Sequence, residues 1–181
     1  QTKDGGYILG GYCMSLDFGS LILKLDDRGN IVWQKTYSQV IQVKSVQQTA
    51  DGGYIAGADS IDGIMVLKLD NNGDVNWHKA FRADDDNQIV SIQITADGGY
   101  VVVGNEPVLV SKLDNSGNII WQKTYGEGYI KSIQQTSDGA YVLSGNYGED
   151  GLLMKIDESG NTILRKSYGG DKRDSINEVK Q

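Results

Sequence analysis

The chain is one unit written four times, and that repetition limits its fold more than any other property. The turn Asp4-Gly5-Gly6-Tyr7 returns as Asp51-Gly52-Gly53-Tyr54, as Asp97-Gly98-Gly99-Tyr100 and, with one change, as Asp138-Gly139-Ala140-Tyr141. A second mark, Lys24-Leu25-Asp26, recurs at Lys68-Leu69-Asp70, Lys112-Leu113-Asp114 and Lys155-Ile156-Asp157. Trp33, Trp77 and Trp121 form a third series, with Leu164 in the fourth place. Ser45-Val46-Gln47-Gln48-Thr49 is echoed at Ser91 to Thr95 and Ser132 to Thr136.

Each unit reads as four short strands, A to D. In the second, strand A runs from Lys44 to Thr49, B from Tyr54 to Ala58, C from Ile64 to Leu69 and D from Val75 to Phe81. Asp-Gly between A and B suits a hairpin that needs positive φ, and Asp70-Asn71-Asn72-Gly73 between C and D is another tight turn. No window carries a sustained 3.6-residue apolar period, so no helix is expected. Strand C places Met65, Leu67 and Leu69 on one face and Val66 on the other. Apolar residues on both faces imply a sheet packed between two like sheets. The expectation is therefore an all-β propeller of four four-stranded antiparallel blades, residues 1–181 forming a single domain.

The ends of the sequence match one another. Glu178 to Gln181 aligns with Ser45 to Gln48, and Gln1 to Asp4 aligns with Gln48 to Asp51. The ring is expected to close by pairing Val179 to Gln181 with the strand that starts near Tyr7. The alternative is a four-blade stretch of a larger propeller. Gln1 stands where an initiator Met would, and no signal peptide is visible, so a processed chain or a piece of a larger one is expected.

These motifs also carry a resemblance. The segment from Ser132 to Gly145, with Leu113 to Gly126, resembles the Asp-Gly-Gly-Tyr propeller repeat of bacterial and archaeal secreted or surface proteins. Asp26 to Trp33 is similar to the tryptophan-docking motif of pyrroloquinoline-quinone-type propeller repeats. The resemblance implies the fold and an extracellular or cell-surface location. It carries over no catalytic residue, because the matching positions are turn and docking residues.

Net charge is −7 with a pI near 4.6, which argues against a nucleic-acid partner. No apolar run approaches a membrane span. The lone Cys13 and lone His78 provide neither a disulfide nor a His/Cys metal cluster, and no cofactor or metal is expected.

Functional residues are sought on the variable loops. Turns A–B and C–D are nearly constant, whereas loops B–C and D–A differ in length and hold twelve acidic against five basic residues, the whole net charge of the chain. The candidate ligand residues there are Tyr12, Phe18, Asp59, Asp62, Asp84, Asp85, Asp86, Glu106, Tyr129, Tyr147, Glu149 and Asp150. Asp84-Asp85-Asp86 lacks the ligand spacing of an EF-hand and reads as a solvated acidic loop. Trp33, Trp77 and Trp121 recur at the blade period and are assigned to blade docking. No nucleophilic, acid–base or metal constellation stands out. The reading is a non-enzymatic binding or scaffold module, with a protein or carbohydrate partner. A carbohydrate-binding propeller is the alternative, and a hydrolase with paired carboxylates in the central mouth is a weaker third.

Overall fold

A computed structural model describes residues 1–13, 19–81, 88–105 and 107–180. Fifteen strands and no helix lie among them. There is accordingly no helix long and apolar enough to cross a membrane. The chain divides into two compact units, Gln1–Ile92 and Gln93–Gln181.

In the first unit, β1 (Tyr7–Cys13), β2 (Gly19–Leu25) and β3 (Ile31–Tyr37) form one sheet. The strands β4 (Val40–Gln48), β5 (Tyr54–Ser60), β6 (Gly63–Leu69) and β7 (Val75–Phe81) form the next. The unit boundary falls within β8 (Gln88–Ile94), which edges the sheet of β9 (Tyr100–Asn105), β10 (Leu109–Leu113) and β11 (Ile119–Thr124). The last sheet is β12 (Tyr129–Gln135), β13 (Tyr141–Tyr147), β14 (Asp150–Ile156) and β15 (Thr162–Tyr168). The pairs among β1 to β3, β4 to β7, β9 to β11 and β12 to β15 are antiparallel, and each four-stranded sheet runs A-B-C-D in sequence order.

The Asp-Gly-Gly-Tyr turn is built the same way four times. In the second repeat Thr49 N–H donates to the Gly53 carbonyl at 2.9 Å, and Gly52 takes φ 86° to return the chain. The Asp51 carboxylate accepts from Gly53 N–H and the Thr49 hydroxyl. It also accepts from Lys68 of strand C at 2.8 Å, and the lysine donates onward to the Leu69 carbonyl at 3.2 Å. The lysine is the buried partner, its side chain 7% exposed against 61% for Asp51. Lys24 with Asp4 and Lys112 with Asp97 repeat the arrangement. A Cβ on Gly53 would overlap the Leu69 carbonyl oxygen and crowd the Lys68 ammonium, which is why the second glycine is needed although its φ is ordinary. The fourth repeat carries Ala140 there. Its Ala140 N–H reaches Asp138 at 3.4 Å, and Lys155 is 28% exposed.

Trp33 and Trp121 each dock onto the following blade of their own unit. Trp33 on β3 stands edge-on to Tyr54 at 5.7 Å, and its indole N–H donates to the Asn71 carbonyl at 3.1 Å. Two further residues of the same strand face join it: Lys35 pairs with Asp74, and the Tyr37 hydroxyl donates to the Gly73 carbonyl at 2.9 Å. Trp-x-Lys-x-Tyr is thus a clamp on the Asp-x-x-Gly turn of the following blade. A Cβ on Gly73 would meet the Trp33 ring at 2.9 Å. The second unit repeats the clamp with Trp121, Lys123 and Tyr125 on the turn Asp157 to Asn161. Burial pushes both phenols up to about 12, so they remain hydroxyl donors.

The first blade departs from expectation. Among the described residues its sheet has three strands, with no A strand beside β1, and residues 171–180 form no strand. The expected closure through Val179 and Lys180 is not formed, while Gln181 lies outside the described residues. The physical sign is Tyr7, 44% exposed where Tyr54, Tyr100 and Tyr141 are 2%, 3% and 1%. Segment 171–180 is held instead by Asp174 N–H to the Glu149 carbonyl and Ile176 N–H to the Gly145 carbonyl.

Candidate functional site

At the tight-turn end, polar groups are consumed internally. Besides the Asp–Lys pairs, Asp26 Oδ1 accepts the backbone N–H groups of Arg28 and Asn30, and Asp70, Asp114 and Asp157 do likewise in their turns. These bonds hold Asp26, Asp114 and Asp157 below the usual carboxylate range, led at Asp26 and Asp114 by the Asn side chain four residues on and at Asp157 by the backbone N–H of Asn161. Groups engaged in folding the turn are not offered to a ligand.

The loop end of the second unit is different. A depression of about 520 Å³ lies between Pro107 of the B–C loop, Glu127, Gly128 and Tyr129 of the D–A loop, Asn146 and Gly148 of the next B–C loop, and Arg173. Gly128 (φ 143°) and Gly148 (φ 59°) turn the chain around its rim. Tyr129 opens β12 and is 48% exposed, giving the floor an aromatic ring. Asn146 is buried and pairs in register with Tyr129 across β12 and β13. Beside the depression the Arg165 guanidinium lies 4.9 Å over the Tyr147 ring and donates to the Tyr125 and Glu127 carbonyls. This fixes the loop that bears Glu127. The arrangement offers one stacking surface, one carboxylate, one amide and one guanidinium around a concave floor.

The structure distributes the sequence-derived candidates unevenly. Tyr129 lines the depression and Tyr147 flanks it. Glu149 is exposed at the tip of the β13–β14 hairpin, and Asp150 opens β14 half-buried. Tyr12, the next-to-last residue of β1, is exposed, and Asp62 sits in the exposed β5–β6 turn. Asp59 is engaged within the fold, where it accepts Ile89 N–H at 2.8 Å and faces Lys44 at 3.5 Å. Phe18, Asp84, Asp85, Asp86 and Glu106 lie outside the described residues. Glu127, Asn146 and Arg173 do not stand out in the sequence. Their only signal there is membership of a variable loop or of a strand end leading into one.

No protein-family model matches the chain, and no curated protein matches it. Solved structures do. The WD40 β-propeller domain of Doa1 superposes with TM-score 0.67 at 16% identity, covering 92% of this chain and 51% of that one. A protein of unknown function from Bacteroides caccae gives TM-score 0.66 at 17% identity, covering 90% and 58%. A streptogramin B lyase gives 0.63 at 18%, covering 93% and 55%. The chain spans about half the length of the solved structures it matches. At these identities the likeness shows the fold alone, and that fold is the β-propeller.

Proposed function

We propose that this chain is a non-enzymatic binding module whose ligand occupies the depression at the loop end of its second unit. The observation that carries the reading is the division of labour between the two ends. The turns direct their polar groups at one another, whereas Tyr129, Glu127 and Arg173 converge on a concave surface. Glu127 is the one carboxylate among the described residues lining the depression, which does not suit hydrolysis by paired carboxylates. Propeller neighbours include both a WD40 domain and a lyase, so the fold carries no preference between binding and catalysis.

A carbohydrate ligand is the second reading, favoured by an exposed tyrosine flanked by a carboxylate, an amide and a guanidinium. An extracellular or cell-surface setting rests on the motif resemblance to Asp-Gly-Gly-Tyr repeat proteins. A glycan array probed with the wild-type chain and with Tyr129→Ala tests the pair of readings. Sugar binding lost in the variant supports both. Sugar binding that survives Tyr129→Ala refutes the site. No sugar bound refutes the carbohydrate reading and leaves the module to be probed with peptide libraries, again against Tyr129→Ala.

A further inference from the structure

We propose that the first unit holds a receptor groove for a guanidinium group on an aliphatic stem, the end of an arginine side chain. The second unit shows the equivalent groove filled by the chain's own Arg165. That residue stands on β15 opposite Met154 of β14, on the face turned toward the preceding blade. Its guanidinium donates to the Tyr125 carbonyl at 2.9 Å and the Glu127 carbonyl at 3.5 Å, both on the link leading out of β11. It also lies 4.9 Å over the ring of Tyr147.

In the first unit the same place is open. His78 stands on β7 opposite Leu67 of β6, as Arg165 stands opposite Met154, and it is exposed. A cavity of about 260 Å³ lies between it and the link leading out of β3, lined by Thr36 to Gln39, Met65 and Leu67 among others. Tyr37 and Gln39 are spaced along this link as Tyr125 and Glu127 are along the other. Ser60 replaces Tyr147, six residues beyond the tyrosine of the repeat turn, so no ring closes the groove. An imidazole in place of the long arginine chain, and a serine in place of a tyrosine, leave the room empty.

The lining suits this occupant. Met65 and Leu67 are buried and give an apolar wall for the stem, while the link supplies backbone carbonyls, which only accept. A guanidinium carries several donors in a planar fork and stacks on a flat ring, which the His78 imidazole offers at the rim. A lysine ammonium has neither property. The volume is below the roughly 300–1,000 Å³ of pockets for drug-sized ligands and fits one side chain. Residues 1–92 carry twelve acidic against eight basic residues, a field that favours a cation. Gln39 is held at φ 69°, outside the ordinary range of a non-glycine residue, on the link that would receive the ligand. This groove belongs to the first unit and does not rest on the depression described for the second.

Titration of the isotope-labelled full chain with a blocked Gly-Arg-Gly peptide, followed by amide NMR shifts, provides the test. The expected result is saturable binding with shifts at residues 36–39 and at His78. The same peptide with citrulline, which keeps the shape and loses the charge, should bind about tenfold more weakly or worse. Free L-arginine is run beside the peptide, and the tighter of the two identifies the source of the group. His78→Arg fills the groove from within, as Arg165 does, and should abolish these shifts. Arg165→Ala empties the groove of the second unit and should add a second set of shifts at residues 125–127. Far-UV circular dichroism checks that each variant is folded. If His78→Arg does not fold, the wild-type shift map and the citrulline comparison decide alone. Absence of saturable shifts at residues 36–39 and 78 overturns the proposal. So does a citrulline peptide bound as tightly as the arginine one, or a folded His78→Arg chain that binds like the wild type.

Discussion

Asp51→Asn isolates the contribution of the buried strand lysine. The substitution keeps an oxygen for Gly53 N–H but turns an amide donor toward the Lys68 ammonium, itself a donor. Lys68 has two acceptors, Asp51 at 2.8 Å and Leu69 at 3.2 Å, and loses the charged one. A hydrogen bond to a charged group contributes about 1.5–3 kcal/mol, and breaking a fully buried ion pair costs about 3–5 kcal/mol. Asp51 is 61% exposed, so water can replace part of the lost acceptor and the lower range applies. The expected loss is about 2 kcal/mol, or close to 1 M in urea midpoint for a chain with an m-value near 2 kcal/mol/M. Lys68→Met removes the charge and its desolvation together, leaving a solvated Asp51, and should cost under about 1 kcal/mol. The double variant should therefore be more stable than Asp51→Asn alone. Equilibrium urea unfolding of the four proteins gives the cycle. Additive costs, or a Lys68→Met loss as large as that of Asp51→Asn, would show that the lysine is not the desolvated partner and refute the argument.

The same carboxylates set the acid limit. Lys68 and Thr49 hold Asp51 at about 2, Thr95 and Lys112 hold Asp97 at about 2, and Lys155 and Thr136 hold Asp138 at about 2, against an ordinary 3.8. Lys24, Thr2 and Gly6 hold Asp4 lower still. Depressed carboxylates contribute stability above their unfolded value that is lost as pH falls through the folded one, so the urea midpoint should drop between about pH 4 and pH 2. A midpoint that is level over that window would contradict the assignment. Trp33→Ala should cost about 3 kcal/mol, the low end for a buried aromatic because Trp33 is only half-buried, read by the same unfolding assay. A near-neutral result would mean that the blade junction does not depend on its ring.

Much of the blade is legible because its signals are local. Asp-Gly at a hairpin and Asp-x-x-Gly at a turn state their own φ requirements, and the strands fall within a few residues of their expected bounds. The burial of β6 and β10 on both faces follows from apolar residues at consecutive positions. The lysine series is visible as a repeat but not as a buried charge. A lysine in an apolar strand reads as solvent-facing until its partner, 17 residues earlier for Lys68, is placed beside it. The clamp is half legible: tryptophan declares itself, but Lys35 and Tyr37 look like ordinary strand residues because their partners sit in the next repeat. Closure differs from expectation because the terminal match is one of sequence alone, and residues 171–180 form no strand that could pair with β1. At the candidate site, Tyr129 is found by composition, whereas Asn146 and Arg173 enter through the convergence of separate loops that sequence does not order.

The clamp has a consequence for how such a chain reaches its fold. Trp33 and Tyr37 grip backbone carbonyls, those of Asn71 and Gly73, through a turn that every repeat can make. A newly made blade therefore meets several receptors of nearly equal shape, and little in the contact tells the right one from the wrong. Discrimination falls to the tether. From β3 to β4 it is two residues, Ser38 and Gln39, the latter at φ 69°. Closing so short a loop costs far less entropy than reaching a blade one repeat further along. Lengthening that link with a flexible insert would leave every native contact intact and still slow refolding, by letting blades skip their neighbours and lodge out of order.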